Sequence, residues 1–523
     1  MTATPQLPPS KVNHWLVAIA VMSSAMMEVL DTSVVNVSLP HIAGSMASSV
    51  DEATWVLTSY LVANAIVLPI TGWLSNYIGR KRLLLIVVTG FTLSSVLCGL
   101  APSLPFLILC RILQGSTGGG LQPLSQAVLL EEFPPEQRGN AMAVWGMGIV
   151  VMPILGPIVG GWITDSFSWR WIFFINLPIG IISLILLNTY IFDPPYIQRR
   201  SPKIDYWGLG LLALWVGALQ IMLDKGQQDD WFSSHFILIL AVLAAAGLVA
   251  FILRELWTKE PIVHLRLLVH RTYTAGVGLV GLLGLVLYGG LVVLPLFLQI
   301  LLGYDALTAG MLTSPRGVGT IFFMPLAGYL LGRAFDSRWM MTIGMAVAGF
   351  ALILFSRMTL EVSLAYLVWV GILQGCGMGF LFVPLTTTTM DPIPLPEMGF
   401  ATSIYSLTRN IGGSIGIALA TTLIERRGQF HQNILGMHIT SATQGVQQFL
   451  TGAQSLLAQR GVNPANAGHL ATGLLYRTLQ QQATYASYMD IFRVFGWIFF
   501  AGIPFLWLMR KPRTGAKAGA AIH

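Results

Sequence analysis

Charge is what this chain has least of. Charged residues fill 10% of its 523 positions and hydrophobic residues 54%, whereas a soluble domain carries about 25% charged residues. The mean hydropathy of +0.71 agrees. That balance leaves one class, a polytopic membrane protein with the lipid bilayer as its solvent. Cysteine is scarce as well. Cys98, Cys110 and Cys376 lie in apolar stretches with no CxxC pair and no histidine beside them. That pattern excludes a disulfide framework and a zinc site, and leaves packing as the role of the three thiols. Signal-peptide features are also lacking. The opening MTATPQLPPSKVNHW has one lysine, and no small-residue cleavage site follows it, so the first apolar stretch is expected to stay in the protein.

The basic surplus, +7 net, does not read as a nucleic-acid surface. The lysines and arginines fall in short clusters between apolar runs, the way a membrane protein holds loops on the cytoplasmic side. A bilayer core takes about 20 apolar residues of helix. Candidate spans fall at 14–38, 52–75, 83–101, 104–129, 140–163, 170–191, 206–223, 235–253, 273–298, 306–331, 340–357, 362–385, 399–424 and 487–509. The chain is therefore expected to be all-α with fourteen spans, and an even number puts both termini on one side. With the N-terminus inside, inner segments hold Lys11, Arg80, Lys81, Arg82, Arg138, Arg199, Arg200, Lys203, Arg254, Lys259, Arg266, Arg271, Arg333, Arg338, Arg510, Lys511, Arg513 and Lys517. Short outer loops hold only Arg170, Lys225 and Arg357. That asymmetry predicts cytoplasmic termini. The outer segment 425–486 also carries arginines, but long segments count for little in this rule.

The chain repeats itself. ILQG occurs at 112–115 and at 372–375, an offset of 260 shared by Gly139 with Gly399 and by Gly156 with Gly416. GWLSNYIGRKR at 72–82 and GYLLGRAFDSR at 328–338 are similar at an offset of 256. The first six spans thus echo the last six, with the seventh and eighth inserted between them. Three units are expected: 1–192, a six-helix bundle; 193–272, the inserted pair; and 273–523, a second six-helix bundle. Two similar bundles facing each other are a transporter plan, with the site near the midplane between them. The inserted pair is expected at the periphery, outside the substrate path. The polar segment 425–486 holds VQQFLTGAQSLLAQ, whose apolar residues recur at helical spacing, and RGVNPANAG interrupts it. It reads as an amphipathic helical hairpin on the outer face.

Three motifs of soluble chemistry occur by accident. GVGLVG at 276–281 has no strand before it, GGSIG at 412–416 has no strand-to-helix elbow, and the sequon at Asn36 lies at membrane depth. Small residues there serve helix packing. No cluster of His, Asp or Ser at one interface points to an enzyme, and no cofactor or metal is expected.

Charges inside spans are rare, expensive and turned toward a cavity or a partner. Here they are Glu28 and Asp31 in the first span, Arg111 in the fourth, Arg316 in the tenth, Arg409 in the thirteenth and Arg493 near the end of the last. Glu28 and Asp31, three apart, share one helical face. Burial and mutual repulsion favour proton uptake by such a pair, which can take a proton on one side and release it on the other. Arg111 stays charged and acts as a fixed counter-charge. Asp31 alternatively forms a structural salt bridge with Arg111. Glu28 lies nearer mid-span, where it alternatively contacts a cation. Arg316 and Arg409 are assigned to coupling or to structure with equal weight. Arg493 snorkels.

These residues sit in stretches that resemble the major facilitator superfamily, specifically fourteen-helix drug:proton antiporters of the EmrB/QacA type. LDTSVVNVSLP at 30–40 resembles the first-helix motif, with Asp31 at its acidic position. GWLSNYIGRKR at 72–82 resembles the loop motif after the second helix, including Gly72, Gly79 and Arg80. RILQGSTGGG at 111–120 resembles the fourth-helix motif, with Arg111 at its basic position. GPIVGG at 156–161, with Gly156, Pro157, Gly160 and Gly161, resembles the antiporter motif, and WRWIFFINLPIG at 169–180 the start of the sixth helix. One departure stands out: Asn76 occupies the place of an acid thought to help lock the cytoplasmic side. The resemblance implies export of small hydrophobic, often cationic, drugs across a bacterial inner membrane, driven by the proton gradient without a cofactor. EmrB-type pumps work with a periplasmic adaptor and an outer-membrane channel; QacA-type pumps do not. Tyr60, Trp145, Gln374, Tyr405 and Asn410 are candidate substrate contacts. Proton-coupled solute symport is the alternative within the superfamily, and GPIVGG with fourteen spans weighs against it.

Overall fold

The computed structural model describes residues 13–193, 205–258, 260–333, 335–440 and 443–510. Lys11, Arg199, Arg200, Lys203, Lys259, Lys511, Arg513 and Lys517, used in the topological tally, lie outside the described residues. Among the described residues all regular structure is helical.

The first six helices are α1 (His14–Ser45), α2 (Asp51–Ile78), α3 (Arg80–Gly99), α4 (Leu104–Gly118 continued by Leu121–Glu132), α5 (Arg138–Ser166) and α6 (Trp171–Tyr190). Two more follow, α7 (Tyr206–Lys225) and α8 (His235–Trp257). The last seven are α9 (Arg271–Leu301), α10 (Ala306–Thr313 continued by Pro315–Gly332), α11 (Ser337–Phe355), α12 (Leu364–Met390), α13 (Met398–Met437), α14 (Gln444–Gln459) and α15 (Pro464–Leu506). Local chemistry marks the starts. The Asp205, Asp305 and Ser363 side chains cap α7, α10 and α12 by accepting from the backbone N–H of Gly208, Thr308 and Tyr366, satisfying donors that the first turn leaves free.

All fourteen expected spans fall on helix. Among the described residues, eleven helices are long and apolar enough to cross a membrane. The other three are α4, interrupted at Gly119–Gly120, α10, interrupted at Ser314, and α13, whose span is diluted by glycine, serine, threonine and Arg409.

The segment 425–486 departs from expectation. α13 continues through it to Met437, and α15 begins at Pro464 rather than 487, so only α14 is a separate short helix. Nothing in either stretch stops a helix. Neither contains an internal proline before Pro504. At 40 and 43 residues, α13 and α15 run about 60 Å each or slightly more, twice the ~30 Å hydrocarbon core. Their joined ends therefore stand clear of the bilayer.

Packing repeats with the sequence. α1 packs on α5 and α6, and α4 on α2 and α3; correspondingly α9 packs on α13 and α15, and α12 on α10 and α11. The two sets meet along a seam where α5 lies on α10 and the later halves of α2 and α4 lie on α13. At one end of the seam, backbones approach so closely that only glycine fits. A Cβ on Gly72 would come within 2.7 Å of the Gly399 carbonyl oxygen, and one on Gly328 within 2.8 Å of the Gly139 carbonyl oxygen. Gly72 and Gly328 open the two copies of the loop motif, and Gly139 and Gly399 share the 260 offset. The two contacts are therefore the same contact made twice.

α8 packs on α7 and lies outside both sets. α7 is less peripheral than expected: it is wedged between α2 and α13, which belong to different sets. Its buried Lys225 donates to Thr54 of α2 at 2.6 Å, and its buried Gln220 accepts from Ser414 of α13 at 2.7 Å.

Candidate functional site

Two carboxyl groups of α1 occupy different surroundings one helical turn apart. Asp31 is fully enclosed within the first set. Its carboxylate accepts from Arg111 at 2.7 Å, from Gln114 at 3.0 Å and from Asn176 at 2.7 Å. Arg111 also donates to Gln114 at 2.7 Å and to the Val56 carbonyl at 3.1 Å, and its guanidinium lies 4.0 Å from the Tyr60 ring centroid. Asp31, Arg111, Gln114 and Asn176 are each 0% exposed. Helices α1, α2, α4 and α6 thus converge on one ion pair. The carboxylate's charge is met by three donors, the condition under which a buried pair is tolerated, while Arg111 Nη2 has no hydrogen-bond partner among the described residues.

Glu28 faces the seam instead. Its Oε1 accepts from Asn64 of α2 at 2.9 Å, while Gln122 of α4 and Arg409 of α13 adjoin the carboxyl. Arg409 is bonded to Gln122. Glu28 Oε2 has no hydrogen-bond partner among the described residues. The acid comes from one set and the guanidinium from the other, so any motion of one set against the other changes their spacing.

The remaining expected residues are scattered, and only some of them join these groups. Tyr60 belongs to the Asp31 network. Trp145 of α5 stacks on Phe382 of α12 across the seam, with ring centroids 6.0 Å apart. Tyr405 bonds Thr386 at 2.9 Å within the second set. Gln374, Asn410 and Arg316 are half-buried and join neither carboxyl network. Gly156 admits Ser33, since a Cβ there would lie 2.2 Å from the serine oxygen, and Gly160 sits against Val34. Gly161 faces open space. Pro157 leaves α5 unbroken as helix.

At the closed end, Gly79 adopts φ +98° and lies against the Asp193 carboxylate. Buried Arg80 pairs with Glu131 of α4. Asn76 is half-buried at the end of α2. Arg80 and Glu131 both belong to the first set, so the close approach across the seam at this end is the paired glycine contacts. Sequence reading alone misses Asn64, Gln114, Gln122, Glu131 and Asn176. Each is a polar residue within an apolar helix, and two of them stand in quoted motifs, ILQG and FINLPIG.

Comparison with known proteins fits this geometry. Residues 21–417 match the family described as Major Facilitator Superfamily. The Multidrug export protein EmrB of Escherichia coli (strain K12) is 36% identical over 513 residues, covering 97% of this chain and 98% of that one. The Fatty acid resistance protein FarB of Neisseria gonorrhoeae is 37% identical over 493 residues, covering 94% and 95%. Among solved structures, the proton:xylose symporter XylE superposes with a TM-score of 0.56 at 17% identity, covering 94% of this chain and 95% of that one, a likeness of fold. On a family match over most of its length and relatives of this identity over nearly all of it, the chain belongs to the major facilitator superfamily.

Proposed function

We propose that this protein exports small hydrophobic compounds, cations among them, across a bacterial inner membrane in exchange for protons. The observation that carries the reading is Glu28, a carboxyl set on the seam between the two helix sets and faced by Arg409 from the opposite one. When ionised, it holds a cationic or hydrogen-bonding substrate. When protonated, it releases it. One group serving two ligands in turn makes proton and substrate mutually exclusive, which is the logic of antiport. The Asp31–Arg111 network is the frame that fixes α1, α2, α4 and α6 around it. Names of relatives, multidrug export and fatty acid resistance, support a substrate of this class.

The rest of the reading follows. The repeated packing supports two six-helix bundles that rock about the seam, with α7 and α8 as the inserted unit. Both termini face the cytoplasm by the Lys/Arg tally, which makes the glycine-closed end cytoplasmic. No cofactor is needed, since the proton gradient supplies the work, and nothing in the mechanism calls for bond-making chemistry. α13, α14 and α15 extend to the periplasmic side, where they dock a membrane-fusion adaptor that leads to an outer-membrane channel. α14 leans on α15, and its Phe449 and Leu456 remain exposed.

The decisive measurement uses the purified chain in proteoliposomes with a pH-sensitive dye inside. A gradient of a hydrophobic fluorescent cation is expected to drive protons the opposite way, and Glu28→Gln, which fixes the neutral form, to abolish that movement and weaken cation binding. Protons moving with the cation would establish symport and overturn the exchange reading.

A further inference from the structure

A groove of about 530 Å³ opens between α9 and the end of α15, with no residue of the first set among its lining. Its walls are apolar: Ala275, Gly278, Leu279 and Leu282 from α9, Phe505 from the end of α15 and Leu508 just past it. Its mouth is not. Arg271 lines it there, and Arg510 sits beside it, because the Arg510 backbone N–H donates to Thr272 Oγ1 at 3.1 Å. Both arginines are exposed, and among the described residues neither pairs with a carboxylate.

Position and length give the groove its meaning. Trp507, one residue before Leu508, meets Trp339 edge-on with centroids 5.2 Å apart. Tryptophans gather at the level of lipid headgroups, so the mouth lies at the membrane surface and the apolar walls run into the hydrocarbon. From Arg271 to Leu282 the helix rises about 16 Å, roughly half of the ~30 Å core. The groove is one leaflet deep. A side chain at Gly278 would meet nothing within 4 Å, so this glycine leaves the floor open without serving a helix contact. One guanidinium at the mouth of an apolar slot one leaflet long, with a second exposed arginine beside it in the chain's path, matches a phosphate above an acyl chain, and basic pockets between membrane helices hold anionic headgroups in this way.

We infer that the α9–α15 groove binds an anionic phospholipid of the leaflet at the Arg271 end, with its phosphate at Arg271 and Arg510 and one acyl chain along Gly278. The site depends on the chain's placement in a membrane and not on what it transports.

The test is native mass spectrometry of the full chain, purified in detergent and titrated with phosphatidylglycerol or phosphatidylcholine of matched acyl chains. Phosphatidylglycerol is expected to be retained at least fivefold better. Arg271→Gln with Arg510→Gln should bring it to the phosphatidylcholine level. Gly278→Leu, which fills the slot without touching the charges, should lower retention of both lipids. Substrate efflux by all variants should persist, which separates this site from the exchange site. Equal retention of the two lipids by the unaltered chain would overturn the inference, as would a preference that survives the double substitution. Displacement of phosphatidylglycerol by inorganic phosphate alone would also count against it, since a bare anion site needs no groove. Should the double variant fail to fold, Gly278→Leu decides alone: unchanged retention there defeats the acyl slot.

Discussion

At the residue scale, two acids one turn apart carry opposite burdens. Asp31 is saturated: three side chains donate to it, and Arg111 answers its charge with no exposed atom on either partner. Removing it strands a buried guanidinium, which costs about 3–5 kcal/mol. Asp31→Asn should therefore lower thermal stability and transport together, measured as the unfolding midpoint in detergent beside uptake into vesicles. Glu28→Gln keeps an acceptor for Asn64 and strands no charge within the first set, so the midpoint should hold while proton coupling disappears. A stable, uncoupled Asp31→Asn protein together with a fully coupled Glu28→Gln protein would return the exchanging role to Asp31.

At the scale of elements, the long ends of α13 and α15 with α14 form a unit that the rest of the fold does not enclose. α14 has no buried residue. The unit is tied down at its base, where Arg427 of α13 pairs with Asp490 of α15 at 2.6 Å and His431 bonds the same carboxylate at 2.8 Å. Deleting 434–482 and joining the ends by a short linker leaves that base intact. Transport in reconstituted vesicles should survive, because the seam is untouched. Drug resistance in cells and co-purification of an adaptor should be lost. A misfolded protein with no vesicle transport would instead make the extension part of the transporter body, and adaptor docking there would lose its support.

For the whole molecule, the repeat sets how one end of the seam closes. The contacts of Gly72 with Gly399 and of Gly328 with Gly139 are equivalent under the repeat, so both must part when the sets rock. Gly72→Val places a side chain against a backbone carbonyl of the opposite set. Overpacking of this kind costs about 1–3 kcal/mol, charged here only to the closed arrangement. That is a shift of roughly five- to 150-fold toward the arrangement with this end open. A cysteine at Gln126, fully buried on α4, reports the shift: its thiol labelling from the glycine end should rise sharply in the Gly72→Val background. Labelling as slow as in the parent would mean that this contact does not hold the end shut.

What the sequence alone determined is what composition and period can carry. A shortage of charge implied the bilayer, apolar runs located fourteen of the fifteen helices, and repeated motifs implied two similar halves that pack alike. The unpaired look of Glu28, Asp31 and Arg111 in apolar helices marked the site, because a buried charge without a purpose is too costly to keep. Two things lay beyond it. Helical period puts Glu28 and Asp31 on one face, yet only the placement of α2, α4, α6 and α13 around α1 decides that one is enclosed and the other faces the seam. Partners such as Asn64 and Gln122 are far away in the chain and ordinary in type, so no local pattern announces them. The lengths of α13 and α15 were equally hidden. Polar residues end a membrane span but do not end a helix, and where the helix stops depends on what its protruding turns pack against.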